Sequence, residues 1–314
     1  MNPFSLSALG VLANETFLGP LDRMTVHMFG QGFTGSSFLG NLFDDEGLLY
    51  LFEPENREGW GLWQSEDALA QSVSRVHCIH TCANCQGEVA DEEFMAKMCS
   101  DYPVVVKTVG MSDVDVFSGI TKAQLNNAKF VLTLRDPRAV VWQLHKDGLN
   151  SGPVSCYHSL LQLLSSKKLA KSMKPYQVRA VFFEQWSQHL NTFVPDLFKW
   201  LNLTVSASTL DFANSFEKVD PLEWTNERKT IVSGDIIDVV DKAPFCQTYM
   251  GMLGYPRNPT PDFTKLLDPF KTPITEAEET MLLKLRQEQK KFETLDKFAK
   301  LPVFLMNEPE PRGL

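Results

Sequence analysis

The alternation of apolar and polar residues near the start of the chain predicts a strand, a glycine-rich turn and a helix in succession. Thr25 to Phe29 alternates polar with apolar side chains and contains two β-branched residues, which is typical of a short strand. Gly30, Gly32 and Gly35 follow and allow the backbone to turn sharply. The apolar residues then return at helical spacing and share one face: Phe38, Leu39, Leu42 and Phe43.

Apolar runs further along the chain predict a parallel sheet. Leu48 to Phe52 is predicted as the strand after the first helix. Pro103 to Val109 and Lys129 to Leu134 are almost continuously apolar, which indicates strands buried on both faces. Val178 to Trp186 predicts another buried strand, ending at an acidic position. Strands that alternate with helices predict an α/β fold with a parallel central sheet flanked by helices.

Arg135 follows one of these strands directly. Asp136 and Pro137 suit the N-cap and the first position of a helix, so the strand ends at Arg135. Open α/β sheets bind their ligands at the carboxyl ends of the strands. We therefore expect Arg135 at the ligand-binding edge, although it could form only a capping pair with Asp136.

The rest of the chain is arranged around one main domain. Residues 24–256 form the predicted domain, residues 1–23 an irregular lead-in, and residues 55–101 an insertion on the substrate side. Residues 257–314 are predicted as a proline-spaced strap and a helix from about Glu276 to Phe298, which a capping box opens. The apolar face of this helix predicts docking on the core or on a second copy of the chain, which would make a homodimer.

The glycine-rich turn has the features of an anion-binding site. The N–H groups of a first helical turn have no intrahelical partner, and the helix dipole adds partial positive charge there. The spacing of Gly30 and Gly35 fits the first half of a phosphate-binding P-loop, but Ser36 occupies the lysine position. This difference argues against an ordinary ATPase or GTPase. The simpler alternative is a turn that binds nothing.

Composition narrows the classes of function. The 314 residues carry a net charge of −9, which argues against a general nucleic-acid binder. This charge suits a polyanionic acceptor only if basic residues are concentrated in one cleft. No apolar run reaches the roughly 18 residues of a membrane helix, and the N-terminus lacks the basic start of a signal peptide. No membrane anchor is therefore visible in the sequence.

Four of the six cysteines cluster near two histidines: Cys78, Cys82, Cys85 and Cys99, with His77 and His80. Disulfides, buried thiols and a zinc site are the three alternatives. A single Cys-x-x-Cys pair without a matching second pair is a weak zinc signal, so we predict no metal. Asn14 and Asn202 stand in glycosylation sequons, as in a glycoprotein.

Three motifs in order resemble the carbohydrate sulfotransferases, Golgi enzymes that move a sulfuryl group from 3′-phosphoadenosine 5′-phosphosulfate (PAPS) to a sugar hydroxyl. The first is the loop Thr34–Phe38 (TGSSF), followed by Phe52-Glu53-Pro54. The second is Arg135–Gln143 (RDPRAVVWQ), and the third is Cys246–Tyr255 (CQTYMGMLGY). The resemblance is to the 6-O-sulfotransferases of N-acetylglucosamine, galactose and N-acetylgalactosamine.

This resemblance implies a P-loop-like sulfotransferase domain that uses PAPS and a carbohydrate or other hydroxyl-bearing acceptor. Arg135 and Gln143 are the implied ligands of the 3′-phosphate, and an arginine fork suits phosphate because it donates two parallel hydrogen bonds. Glu53 is the implied base for the acceptor hydroxyl, or else binds a sugar hydroxyl without deprotonating it. The loop is expected to bind the 5′-phosphosulfate through Phe33, Thr34, Gly35, Ser36, Ser37 and Phe38.

The resemblance also implies a Golgi or secretory location. Golgi relatives usually carry an N-terminal anchor, so we expect either a lumenal portion of a longer protein or a soluble, cytoplasmic variant.

The sequence departs from this family where positive charge is needed. Phe33 stands in the place of the loop arginine, Gly110 in the place of a second arginine, and Gln143 in the place of a serine. Lys107 and His27 are the candidate replacements for the missing charge. Losing one electrostatic donor typically costs about 10²–10³ in rate. The alternative function is therefore a weak or inactive relative that binds a nucleotide or a glycan.

Overall fold

The computed structural model describes residues 24–52, 103–109, 127–147, 152–216, 219–227, 231–257 and 262–298, together with Asp113, Val114 and Phe117. Several predictions lie outside the described residues. These are the lead-in 1–23, the insertion 55–101 with its cysteine cluster, Glu53 and Gly110.

The strands are β1 (Thr25–Gly30), β2 (Leu49–Phe52), β3 (Val104–Val109), β4 (Ala128–Leu134) and β5 (Val178–Phe182). The helices are α1 (Ser36–Asp45), α2 (Pro137–Lys146), α3 (Gly152–Ser172), α4 (Phe183–Trp186), α5 (Leu190–Leu201), α6 (Ala207–Ser215), α7 (Glu223–Glu227), α8 (Ile231–Lys242), α9 (Pro244–Leu253) and α10 (Glu276–Phe298). Two 3₁₀ turns, Pro175–Gln177 and Phe263–Lys265, complete the described elements.

The five described strands form one parallel sheet in the order β2-β3-β1-β4-β5. This confirms the predicted α/β fold with a parallel central sheet. β1 lies at the centre, between β3 and β4, and Gly30 at its end is paired with Val109 and Thr133. The carboxyl ends of β1, β3 and β4 therefore lie at the same edge of the sheet, where α/β proteins bind ligands.

Helices pack on both faces of the sheet, as the strongly apolar strands require. On one face α1, α5 and α6 cover residues of the central strands such as Met28 and Val105. The four predicted apolar residues of α1 are all buried in this layer: Phe38, Leu39, Leu42 and Phe43. On the other face α3, α9 and α10 cover Phe29, Phe130 and Leu132.

Two helices on this second face are joined by a disulfide between Cys156 of α3 and Cys246 of α9. This pair lies outside the cysteine cluster and was not predicted. The described helix α10 packs on α3, where Lys167 forms an ion pair with Glu278 and the Tyr157 hydroxyl donates to the carbonyl of Leu285. The helix therefore docks on the core of its own chain, one of the two predicted alternatives.

The beginning of α10 confirms the predicted capping box. Glu278 accepts from the backbone N–H of Thr275 at 2.7 Å, and the Thr275 hydroxyl accepts from the backbone N–H of Glu278 at 3.2 Å. The two reciprocal bonds satisfy N–H groups that the first turn leaves without partners. No helix within the described residues combines the length and the apolar character of a membrane span.

The prediction of one long strand from Val178 to Trp186 was wrong. The strand ends at Phe182, residues 183–186 form the short helix α4, and the first three residues of β5 are only half-buried. The reason is that β5 lies at the edge of the sheet, and an apolar run does not distinguish a strand from a buried turn of helix. The apolar residues of α4 are buried instead around the loop after β1.

Candidate functional site

The backbone of the loop between β1 and α1 has a conformation that lets other groups approach it closely. Phe33 and Gly35 both have positive φ, 65° and 83°. Gly35 is the N-cap of α1 and provides no side-chain acceptor, so the first N–H groups of the helix are not satisfied by their cap. A Cβ atom at Gly35 would lie 2.4 Å from the ring of Trp186, so the loop and α4 pack too closely for any side chain there.

Threonine side chains fix this loop to β4. The Thr34 and Thr133 hydroxyls lie 2.7 Å apart, and they also lie 2.8 Å and 2.9 Å from the carbonyls of Gln31 and Phe29. A Cβ atom at Gly30 would be 1.9 Å from Thr133 Oγ1, so glycine is required where the two strands end. Thr34, a predicted cofactor ligand, therefore shapes the loop from within, because its hydroxyl is buried in these contacts.

Arg135 lies against the loop, as its position at the end of β4 predicted. Its Nη1 donates to the carbonyl of Phe33 at 2.8 Å, and its guanidinium lies 4.1 Å from the ring centre of Phe183. Only 8% of the residue is exposed, and its Nε has no hydrogen-bond partner among the described residues. Burial lowers the pKa of Arg135, and Glu184 and Asp136 oppose that change with their negative charge. A buried cation with an unpaired donor is suited to an anionic ligand.

Lys107 of β3 supplies a second positive charge on the other side of β1. Its Nζ donates to Ser37 Oγ at 2.8 Å, although the residue is only 2% exposed. Ser37 itself is exposed in the first turn of α1. The sequence left the direction of Lys107 open, and the structure directs its ammonium toward the loop. A lysine within a run of valines was the signal in the sequence, since an unpaired charge is rarely buried.

The side chains of three predicted or candidate residues have contacts other than with a ligand at this loop. Gln143 is at the end of the second turn of α2, and its amide donates to Asp147 Oδ1 at 3.3 Å. Phe38 stacks on Trp186 with ring centres 5.3 Å apart, so its ring is part of the core. His27 is fully buried within β1 among aromatic rings, 4.9 Å from the ring centre of Phe117, and does not reach the loop.

The helix after Arg135 begins with a buried ion pair that also binds the segment after α9. Asp136 caps α2 by accepting from the backbone N–H of Arg138 at 2.9 Å, as predicted. The guanidinium of Arg138 binds both carboxylate oxygens of Asp136 and donates to the carbonyls of Pro256 and Arg257. Such a fork in a dry environment fixes the position of both partners.

Glu184 is a further buried acid in this region, and the sequence indicated only its acidic character. One of its oxygens accepts from the backbone N–H of Asp136 at 2.6 Å, and the other accepts from the Tyr255 hydroxyl at 3.0 Å. Burial raises the pKa of Glu184 to about 7, and the nearby Asp136 charge adds to the increase. Glu184 thus connects β5, the start of α2 and the segment after α9.

Together these residues provide the hydrogen-bond donors and the positive charges that bind an anion. The loop presents backbone N–H groups, Arg135 and Lys107 flank it from β4 and β3, and Ser37 adds a hydroxyl. The net charge of −9 is thus compatible with a local positive site. Of the predicted ligands, the structure brings Phe33, Thr34, Gly35, Ser36, Ser37 and Arg135 together.

The sequence matches no protein-family model and no curated protein. Among solved structures it is similar to the sulfotransferase domain from the curacin biosynthetic pathway, with a TM-score of 0.46 and 12% identity over 74% of this chain and 98% of that one. The sulfotransferase domain from the Synechococcus olefin synthase gives 0.43 and 12%, over 88% and 98%. A Mycobacterium tuberculosis sulfotransferase gives 0.37 and 10%, over 75% and 80%. Similarity at this level concerns the fold, so the function rests on the residues of the site.

Proposed function

We propose that this protein is a sulfotransferase that moves a sulfuryl group from PAPS to a hydroxyl of a carbohydrate acceptor. The observation that carries the proposal is the convergence of two buried cations on one glycine-rich loop. Arg135 and Lys107 reach the loop from the two strands beside β1, and the loop has the sequence that resembles the sulfotransferases. A ligand with two separate anionic groups fits two separate cations.

The proposed donor fits the residues that are present. The 3′-phosphate would be held by Arg135, whose buried Nε has no partner among the described residues. The 5′-phosphosulfate would be held by the loop from Phe33 to Ser37 and by the first N–H groups of α1. When bound, PAPS supplies the sulfuryl group and leaves as the bisphosphate.

Lys107 takes the role that the loop arginine has in the family. Its ammonium lies at Ser37, next to the helix terminus, where it would neutralise negative charge that develops on the leaving oxygen. Sulfuryl transfer needs positioning and electrostatic stabilisation more than covalent participation of the protein. A lysine from β3 therefore compensates for Phe33 in the loop.

Glu53 is proposed to accept the proton of the acceptor hydroxyl. Glu53 directly follows β2 in the sequence, and Phe52, the last residue of β2, is paired with Lys107 of β3. The carbohydrate acceptor and the secretory location follow from the family resemblance. The disulfide between Cys156 and Cys246 supports an oxidising compartment.

Calorimetric titration of adenosine 3′,5′-bisphosphate into the protein tests the donor site. Arg135→Ala should weaken binding by about 10- to 100-fold, because it removes a charge-assisted hydrogen-bonding fork. Arg179→Ala is the matched control, since Arg179 of the edge strand β5 forms an ion pair with Asp196 of α5. Equal affinity of Arg135→Ala and wild type would contradict the assignment of Arg135.

Transfer of labelled sulfate from PAPS to a panel of sugars tests turnover. Lys107→Met should lower the rate by about 10²–10³ and change bisphosphate affinity much less, because the charge is needed mainly as the bond to the leaving group breaks. Glu53→Gln should lower the rate of transfer without weakening the binding of the bisphosphate. Tight binding of the bisphosphate with no transfer to any acceptor would favour the alternative of an inactive nucleotide-binding relative, for which Phe33 is the specific indication.

A further inference from the structure

We propose that Glu184 is a positioning residue that takes up a proton when a phosphorylated ligand binds at Arg135. This inference rests on the proposed function, because it requires a phosphate on Arg135. It adds that the affinity of the site depends on pH through a residue that does not touch the ligand.

The geometry places Glu184 directly behind the ligand-binding edge. The residue is 1% exposed, and each carboxylate oxygen is already engaged, one by the backbone N–H of Asp136 and the other by the Tyr255 hydroxyl. Asp136 follows Arg135 in the chain, and Phe183, on whose ring the Arg135 guanidinium lies, precedes Glu184. The carboxylate and the guanidinium therefore share one buried space without a direct ion pair.

Among the charged groups around Glu184, Arg135 is the cation that lowers its pKa, in addition to the larger effect of the hydrogen bond from the backbone N–H of Asp136. Arg138 is occupied, because it binds both oxygens of Asp136 and lies 3.4 Å from Asp241. The remaining titratable groups that face the pair are Tyr249 and Tyr255 of the segment around α9, and Glu223 of α7, whose charge acts on Arg135. Burial raises the pKa of both tyrosines, which stay neutral near pH 7.

A phosphate on Arg135 would oppose this effect of the guanidinium on Glu184. The negative charge of the phosphate would interact with the Arg135 guanidinium and would repel the ionised Glu184. Protonation of Glu184 therefore becomes favourable. The pKa of Glu184 in the free protein is about 7, so the carboxyl is mostly ionised at pH 8 and has a proton to gain. The backbone N–H of Asp136 must keep donating to one oxygen, so the proton binds the oxygen that faces Tyr255, whose hydroxyl oxygen then accepts.

Proton uptake is measured by titrating adenosine 3′,5′-bisphosphate at pH 8 in buffers of different ionisation enthalpy. At this pH both phosphates are already doubly ionised, because their second pKa is about 6, so any proton taken up binds the protein. We expect uptake approaching 0.9 proton per ligand in the wild type, the fraction of a group of pKa about 7 that is ionised at pH 8. The affinity should fall up to tenfold per pH unit above pH 7.

Glu184→Gln is the decisive variant, and Glu278→Gln is its matched control. Glutamine keeps an acceptor for the Asp136 N–H but cannot ionise, so proton uptake and the pH dependence of affinity should vanish. Glu278 lies in the capping box of α10 on the other face of the sheet, and its variant should keep both. Tyr255→Phe offers a second variant, because loss of the hydroxyl donor favours the protonated Glu184 in the free protein and should reduce the uptake.

The outcomes separate the inference from the function on which it rests. Bisphosphate binding without proton uptake in the wild type overturns the inference alone. Uptake that Glu184→Gln and Tyr255→Phe leave unchanged overturns it as well, because the proton then binds elsewhere. A wild-type protein that does not bind the bisphosphate at any pH overturns the proposed function and this inference with it.

Discussion

Replacement of Glu184 by glutamine should change how the free energy of unfolding depends on pH, without any ligand. The pKa of Glu184 is about 7 in the folded protein, against 4.5 for an unperturbed glutamate. A buried acid with a raised pKa stabilises the fold most at low pH, where it is protonated in both states. That stability is lost as the pH rises through 7, because the unfolded state ionises freely and the folded state does so only at a cost.

The size of the effect follows from the shift in pKa. A difference of about 2.5 pKa units corresponds to about 3 kcal/mol over the full titration. About 2 kcal/mol of this change in the free energy of unfolding occurs between pH 5.5 and pH 8. This pH range lies above the sequence pI of about 5.2. Glu184→Gln does not titrate, so its stability relative to wild type should increase by that amount across the range.

Urea unfolding of both proteins at several pH values measures this difference, because other titrating groups cancel between them. Glu278→Gln is the control, and its stability relative to wild type should stay constant from pH 5.5 to 8. Hydrogen bonds from Lys167 and Thr275 hold the pKa of Glu278 below its ordinary value of 4.5 against the effect of burial. Its ionised form therefore stabilises the fold, and that stability is lost only as the pH falls below this range. A stability difference between Glu184→Gln and wild type that is constant from pH 5.5 to 8 would refute the reasoning.

Further substitutions test the loop and the core. Gly35→Ala should lower the free energy of unfolding by at least 1–2 kcal/mol, because φ is 83° and the new Cβ meets the Trp186 ring; thermal unfolding followed by circular dichroism measures it. Gly251→Ala should raise stability by about 0.5–1 kcal/mol in the same assay, since nothing lies within 4 Å of its Cβ on a helix. Replacing Cys156 and Cys246 by alanine should cost about 4 kcal/mol in urea unfolding, because their crosslink closes a loop with a sequence separation of 90; an unchanged midpoint would contradict this.

Local patterns were sufficient for most of the sheet and its first helices. The first strand was predicted within one residue of β1, its turn and helix followed as predicted, and the N-cap at Asp136 and the capping box of α10 were confirmed. These features depend on residues that are close in sequence. The failure at β5 has the same origin, since a short apolar run is compatible with a strand or a helix until its position in the sheet is known.

The long helix α3 shows a second limit of local patterns. Polar residues lie buried along it: Ser155, Ser159, Gln162, Ser165, Ser166 and Lys167. A helix covered by the sheet, α9 and α10 has no single apolar stripe, so periodicity gives a weak signal.

The sequence by itself determined the α/β class, the glycine turn and the position of Arg135 at the end of a strand, because each follows from neighbouring residues. The tertiary structure decided which charges converge. Lys107 is 70 residues from Ser37, and Glu184 is 71 residues from Tyr255. The sequence could not assign those partners, since a buried charge is placed by the packing of distant segments and the low dielectric between them, neither of which has a local pattern.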